Sequence, residues 1–212
     1  MNVPIVSTAD TPLGEFAEAL ASEQPTPGGG AAAAVTATLA ASLTAMVVRL
    51  SLDRPRYADH ADLHAEALAA SDAARRRLLD LADEDIGAYA TYLAARSMPR
   101  ETEAEQEARA QATRAAARVA TEVPLAIVQA CHSQMGLVER LAGRTNQNAA
   151  SDLEVAAHLL EAAARAAAAN VTINLGAVGD DGFAAAVSAE LSQRLQQVQR
   201  LADRARERIA KG

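Results

Sequence analysis

Three groups of residues in this chain are of types that do chemistry, at spacings that would bring them together. The first is Pro25-Thr26-Pro27-Gly28-Gly29-Gly30. Three glycines at a helix start expose backbone N–H groups beside the positive end of the helix dipole. That arrangement suits an anion or a closely packed ligand, and it equally suits a flexible or tightly packed turn. The second group is Asp83-Glu84-Asp85. Leu78, Ala82, Asp85, Tyr89 and Tyr92 follow at steps of four, three, four and three, which puts Asp85 on a mainly apolar helix face and points Glu84 elsewhere. A carboxylate desolvated there has a raised pKa and can serve as general acid or base, or meet a cationic substrate; at the edge of the stripe it would reach water instead. The third group is rich in amides: Asn146, Gln147, Asn148, Ser151 and Asp152, then Asn170 and Asn174, the last two on one helix face. Buried amides need partners, so they either lock helices together or contact a ligand.

Other chemistries lack their residues. The one lysine, Lys211, stands at the chain end, so the glycine run is not a P-loop and a Schiff-base lysine is implausible. No Gly-x-Ser-x-Gly elbow is present. His60 and His64 stand four apart as two metal ligands would, but Ala61 occupies the place of a zincin's glutamate and no third ligand follows. A solvated helix face is the better reading and no metal is expected. The single cysteine, Cys131, excludes an internal disulfide, reads as a small core residue and fits a reducing, cytoplasmic setting. A net charge of −7 and only five aromatic residues argue against nucleic-acid binding. No basic-then-apolar leader is evident, and no uninterrupted apolar run reaches about 18 residues, so no spanning helix is expected.

The elements that must position these groups are helices. Alanine makes up 55 of the 212 residues, and alanine has the highest helix propensity while strands favour aromatic and β-branched residues. Thr11-Pro12 reads as an N-cap and first-turn proline for a short helix with Leu13, Phe16 and Leu20 on one side. A small-residue helix follows the glycines, with Leu39, Leu43, Met46, Val47 and Leu50 spaced for one face. The pattern is helical from Tyr57 to Met98, where Pro99 ends it. A segment running from acidic (Glu101 to Glu107) to basic (Arg109 to Arg118) complements a helix dipole, and its alanine face places it on the outside. Pro124 either kinks this helix or starts another. Ser151 and Glu154 fit a capping box for a helix to Leu175, and a last helix spans Phe183 to Ala210. Its seam of Leu191, Leu195, Val198, Ala202, Ala205 and Ile209 wants a partner, in the same bundle or in a second subunit. The expectation is an all-α, up-and-down bundle of long Ala-rich helices forming one domain over residues 1–212.

In order along the chain, several motifs resemble the cyclodeaminase domain of formiminotransferase-cyclodeaminase and its stand-alone relatives, the methenyltetrahydrofolate cyclohydrolases. They are the Pro25–Gly30 run, Asp83-Glu84-Asp85-Ile86-Gly87-Ala88-Tyr89, Met98-Pro99-Arg100, Val123-Pro124-Leu125, Asn148-Ala149-Ala150-Ser151-Asp152 with Val155-Ala156-Ala157, and Asn170-Val171-Thr172-Ile173-Asn174-Leu175. Each is weak alone; the series is specific and covers roughly Leu13 to Phe183. The resemblance implies a homodimer with a folate site near the subunit contact. It implies action on 5,10-methenyltetrahydrofolate, opened by water to the 10-formyl compound, or on 5-formiminotetrahydrofolate, cyclised with loss of ammonia. No cofactor is implied beyond the folate substrate. Asp85 would be the catalytic acid/base, with Asp83 as fallback. Gly28, Gly29, Gly30, Asn148, Ser151, Asp152, Asn170 and Asn174 would bind substrate. The family usually continues the triple glycine with serine, where this chain has Ala31. Lysines common after its second helix and after the Met-Pro position are here Arg54, Arg56 and Arg100, which keep the charge for a glutamate tail. The alternative is a non-catalytic helical dimer that binds a folate or a protein partner. Asp85→Asn separates the two, because only an enzyme loses turnover.

Overall fold

The computed structural model describes residues 7–211, and among these there is no strand. Six α-helices follow one another: α1 (Leu13–Ala21), α2 (Gly29–Arg49), α3 (Ala61–Arg96), α4 (Glu103–Leu141), α5 (Ala150–Leu175) and α6 (Asp181–Lys211). Short 3-10 turns over Pro55–His60 and Gln147–Ala149 lead into α3 and α5. Successive helices from α2 to α6 pack on one another, and α5 also packs on α2, so α2, α3, α4 and α5 close around one core. The start of α2 meets the second half of α3 and the end of α5, as an up-and-down bundle requires.

Alanine fills that core. The buried face of α2 is Ala31, Ala33, Ala34, Ala37, Ala40, Ala41 and Ala45 with Val47 and Val48, and α5 buries Ala156, Ala157, Ala163, Ala164, Ala167 and Ala168. Side chains that end at Cβ let two helix axes approach closely. This corrects the expected leucine face of α2: Leu39, Met46 and Leu50 are 48%, 36% and 41% exposed, and only Val47 of that set is buried. It also corrects the reading that no run is long and apolar enough to cross a membrane. By length and composition α2 is, with mean hydropathy 1.9 over its most apolar window, and 61% of that window is buried within the bundle, as in a core helix.

Other local expectations change with context. α1 is preceded by Pro12 without a side-chain cap and buries Phe16 alone, leaving Leu13 in solvent. Ser151 lies inside α5 because the preceding 3-10 turn already starts the winding at Gln147; the capping side chain there is Asn146, which accepts from the Asn148 amide. A complete capping box stands instead at Thr102 and Glu105 on α4. That helix runs unbroken through Pro124, and none of its residues before Ala116 is buried. His64 is buried rather than solvated, with Nε2 2.9 Å from the carbonyl oxygen of Arg144, so it ties α3 to the loop before α5. Cys131 is core, and burial pushes its thiol up to about 12. The α6 seam takes its partners from α4 and α5 of the same chain.

Candidate active site

Asp85 is the centre of the site, and the start of α2 is what holds it. The first N–H groups of a helix have no partner within the helix. Here the Ala31 amide donates to Asp85 Oδ2 at 3.0 Å, so a carboxylate from α3 caps α2 across the helix contact. Gly30 makes this approach possible: a Cβ built there would lie 2.1 Å from Asp85 Oδ1 and 2.4 Å from its Cγ. Gly29 faces Asn170 in the same way, with a Cβ there 3.3 Å from the amide nitrogen. The glycine run is therefore the seat of Asp85 and Asn170, and Ala31 is fully buried with its backbone committed to Asp85.

Burial is the dominant influence on the Asp85 carboxyl and raises its pKa above the ordinary aspartate value; the Ala31 N–H opposes this without cancelling it. Its neighbours differ. Asp83 is held by the Ser7 hydroxyl at 2.7 Å and by the backbone N–H and hydroxyl of Thr8. Partial burial works against its charge, yet those bonds prevail and keep its pKa low, so it fastens the N-terminal turn to α3. Glu84 forms a two-bond pair with Arg77 on the surface. Of the three acids, Asp85 is the one that lines the cavity at the start of α2.

That cavity, about 340 Å³, is lined by Gly28, Gly29, Gly30, Asp85, Asn170 and Asn174 among the expected residues. Pro25, Thr26, Tyr89, Tyr92, Ala117, Ala120, Ile173 and Ala177 complete it, and Ile173 at its edge is 77% exposed. Tyr89 and Tyr92 continue the stripe on which Asp85 was found. Ala117 and Ala120 carried no signal, because a small residue lining a cavity is indistinguishable in sequence from one in a core. Asn148, Ser151 and Asp152 are elsewhere. They sit at the start of α5, about 20 residues and hence roughly 30 Å of helix from Asn170 and Asn174, too far to reach the same ligand from one chain. Asn148 faces a separate recess with Arg54, Arg56 and Tyr57. Arg100 is the one arginine of the three near the site. With Arg96, Arg109 and Arg114 it lines a second cavity of about 590 Å³ that shares Tyr92 and Ala177 with the first.

An apolar-walled cavity with one desolvated carboxylate, two amides and two phenols can hold a flat, polar ligand and move a proton at one place on it. No group of three or more potential metal ligands exists among the described residues.

The formiminotransferase-cyclodeaminase family model matches residues 12–193. The chain is 35% identical over 170 residues to a methenyltetrahydrofolate cyclohydrolase of Methylorubrum extorquens, covering 80% of this chain and 81% of that one. It is 34% identical over 195 residues to the formimidoyltransferase-cyclodeaminase of Sus scrofa, covering 92% of this chain but only 36% of that longer protein. The crystal structure of formiminotetrahydrofolate cyclodeaminase from Thermotoga maritima superposes with a TM-score of 0.87 at 28% identity, over 96% of this chain and 98% of that one. The aspartate seated on a glycine-started helix thus stands in a chain that belongs to the formiminotransferase-cyclodeaminase family.

Proposed function

We propose that the protein is a folate-dependent one-carbon enzyme acting on the N5–C–N10 bridge of tetrahydrofolate, with Asp85 as its acid/base. The observation that carries this is the Asp85 carboxyl, desolvated at the wall of the cavity and held there by the Ala31 amide. In hydrolysis of the methenyl cation, Asp85 takes a proton from the attacking water. A neutral tetrahedral carbinol forms, Asp85 returns the proton to N5, the C–N5 bond breaks, and the hydroxyl proton leaves to solvent as the formyl group appears on N10. In the cyclodeaminase direction N10 attacks the formimino carbon, Asp85 moves the N10 proton to the departing nitrogen, and ammonia leaves. The ionised carboxylate also stabilises the cationic form of the bridge. Neither reaction changes an oxidation state or needs a Lewis acid on this route, so the reading includes no cofactor and no metal.

Arg96, Arg100, Arg109 and Arg114 give the anionic glutamate end of such a ligand a complementary wall beside the main cavity. The reading places the protein in the cytoplasm, consistent with its single, buried cysteine, and includes neither nucleic acid nor membrane as partner. It also includes a homodimer, supported by the apolar side chains that α2 and α5 leave in solvent.

The test is to follow the methenyl absorbance band with each substrate. Decay of 5,10-methenyltetrahydrofolate above the spontaneous rate marks a cyclohydrolase; growth of the band with ammonia release from 5-formiminotetrahydrofolate marks a cyclodeaminase. Asp85→Asn is expected to lower kcat by at least about 100-fold, in the range for loss of a general acid/base, with an unchanged circular dichroism spectrum. Full turnover by that variant would overturn the assignment.

A further inference from the structure

Pro124 and Asn174 belong to different helices and to motifs far apart in sequence, yet they meet at one atom. Proline has no N–H, so inside α4 Pro124 leaves the carbonyl of Ala120, four residues earlier, without its helical donor. The donor it receives is the side chain of Asn174 on α5, whose Nδ2 lies 2.6 Å from the Ala120 oxygen. A carbonyl oxygen only accepts, which settles which end of the amide faces it: one of the two N–H groups of the NH2 donates to Ala120, and the Oδ1 is left as an acceptor on the other end. Ala120 and Asn174 both line the cavity that holds Asp85, and among the described residues none donates a hydrogen bond to that Oδ1.

We propose that Pro124 is a positioning residue. By unmasking the Ala120 carbonyl it fixes the Asn174 amide so that Oδ1 is presented to the cavity, where it accepts a hydrogen bond from an N–H of the bound ligand. The donor on the ligand is a ring or exocyclic N–H of a reduced pterin, a detail that rests on the folate reading above. Asn170 supports the same design from one turn away: its Nδ2 donates at 3.0 Å to the Ala166 carbonyl, so its amide too is anchored by the donor end. The device explains why a helix of 39 residues tolerates a buried proline. The residue that breaks the ladder is the one that orients the binding amide.

The experiment is a double-mutant cycle on KM with the substrate that the wild type turns over. Pro124→Ala restores the helical donor to Ala120 and frees the Asn174 amide to rotate. It is expected to raise KM about tenfold, the effect of one lost oriented hydrogen bond, while kcat changes little and thermal stability is kept or increased. Asn174→Ala is expected to raise KM comparably, and the Pro124→Ala/Asn174→Ala pair to be no worse than Asn174→Ala alone. Asn174→Asp, which cannot donate to Ala120, is expected to behave like Asn174→Ala and not as a conservative rescue. Additive effects of the two substitutions on KM, or a Pro124→Ala enzyme with wild-type KM, would overturn the proposal. If instead the wild type turns over neither folate, the functional reading fails first. The cycle is then run on the dissociation constant of tetrahydrofolate itself, with the same pattern expected and the same outcomes decisive.

Discussion

At the scale of single residues, the site turns on an opposition within Asp85. The N-terminus of α2 favours its charge through the dipole and the Ala31 N–H, while burial disfavours it, and burial wins. The sign of the stability consequence follows. Between the ordinary aspartate pKa and the raised folded value, the folded state binds more protons than the unfolded one, so stability falls as pH rises through that window. The penalty is complete once pH has passed the raised folded value. Asp85→Asn, whose side-chain oxygen can still accept from Ala31, is therefore expected to melt higher than wild type above that raised value, with the difference closing as pH falls below the ordinary aspartate range; thermal melts across pH read this directly. Activity that depends on the carboxylate should decline on the acid side through the same raised pKa in a kcat/KM profile. Gly30→Ala tests the seat itself. Its methyl overlaps the carboxylate, so either the helices part or Asp85 turns away. A loss of about 1–3 kcal/mol in stability is expected from such overpacking, together with most of the turnover, checked by denaturant titration and assay.

At the scale of elements, helix ends and one helix break do the positioning. α2 contributes its N-terminus, α5 its last turns, α3 about two turns bearing Asp85, Tyr89 and Tyr92, and α4 the gap at Pro124. The Asn174–Ala120 bond joins α5 to α4 at that gap. Asn174→Ala should cost about 1 kcal/mol, because it leaves a half-buried carbonyl with neither a helical nor a side-chain donor. Chemical denaturation would show it, and the same substitution in a Pro124→Ala background should cost less. The sequence offered both readings of the amides, helix lock or ligand contact, and Asn174 does the first while facing the cavity. The amides at the other end of α5 looked equally functional, since spacing along a chain says nothing about which end of a 26-residue helix a cavity occupies.

At the scale of the whole molecule, the alanine core has an outward consequence. Because α2 buries its small residues, its large ones face solvent: Leu39, Met46 and Leu50, with Val155 and Ile173 on neighbouring α5. A face of this kind on two adjacent helices suits a second copy of the chain. Sedimentation is expected to give a dimer at micromolar concentration, and Leu39→Glu with Met46→Glu is expected to weaken it by well over about tenfold while the monomer keeps its helicity. A wild type that sediments as a monomer would remove the dimer from the proposed function.

Much of this protein follows from local rules that need no tertiary information. Alanine content and helical spacing imply an all-helical chain, the steps from Leu78 to Tyr92 put Asp85 beside the two tyrosines, and the Pro25–Gly30 run marks a helix start where a partner comes close. These hold because helix propensity and a 3.6-residue period are properties of the chain itself. Which face of a helix is inside is not such a property when both faces are apolar. The close approach of α2 to α3 and α5 selected alanines over leucines, the loop before α5 covered His64, and the 3-10 turn at Gln147 made Ser151 a residue within α5. The pairing of the carbonyl freed by Pro124 with Asn174, 50 residues later, likewise exists only once α4 and α5 lie side by side, because an unsatisfied backbone group has no preference for a partner until packing supplies one.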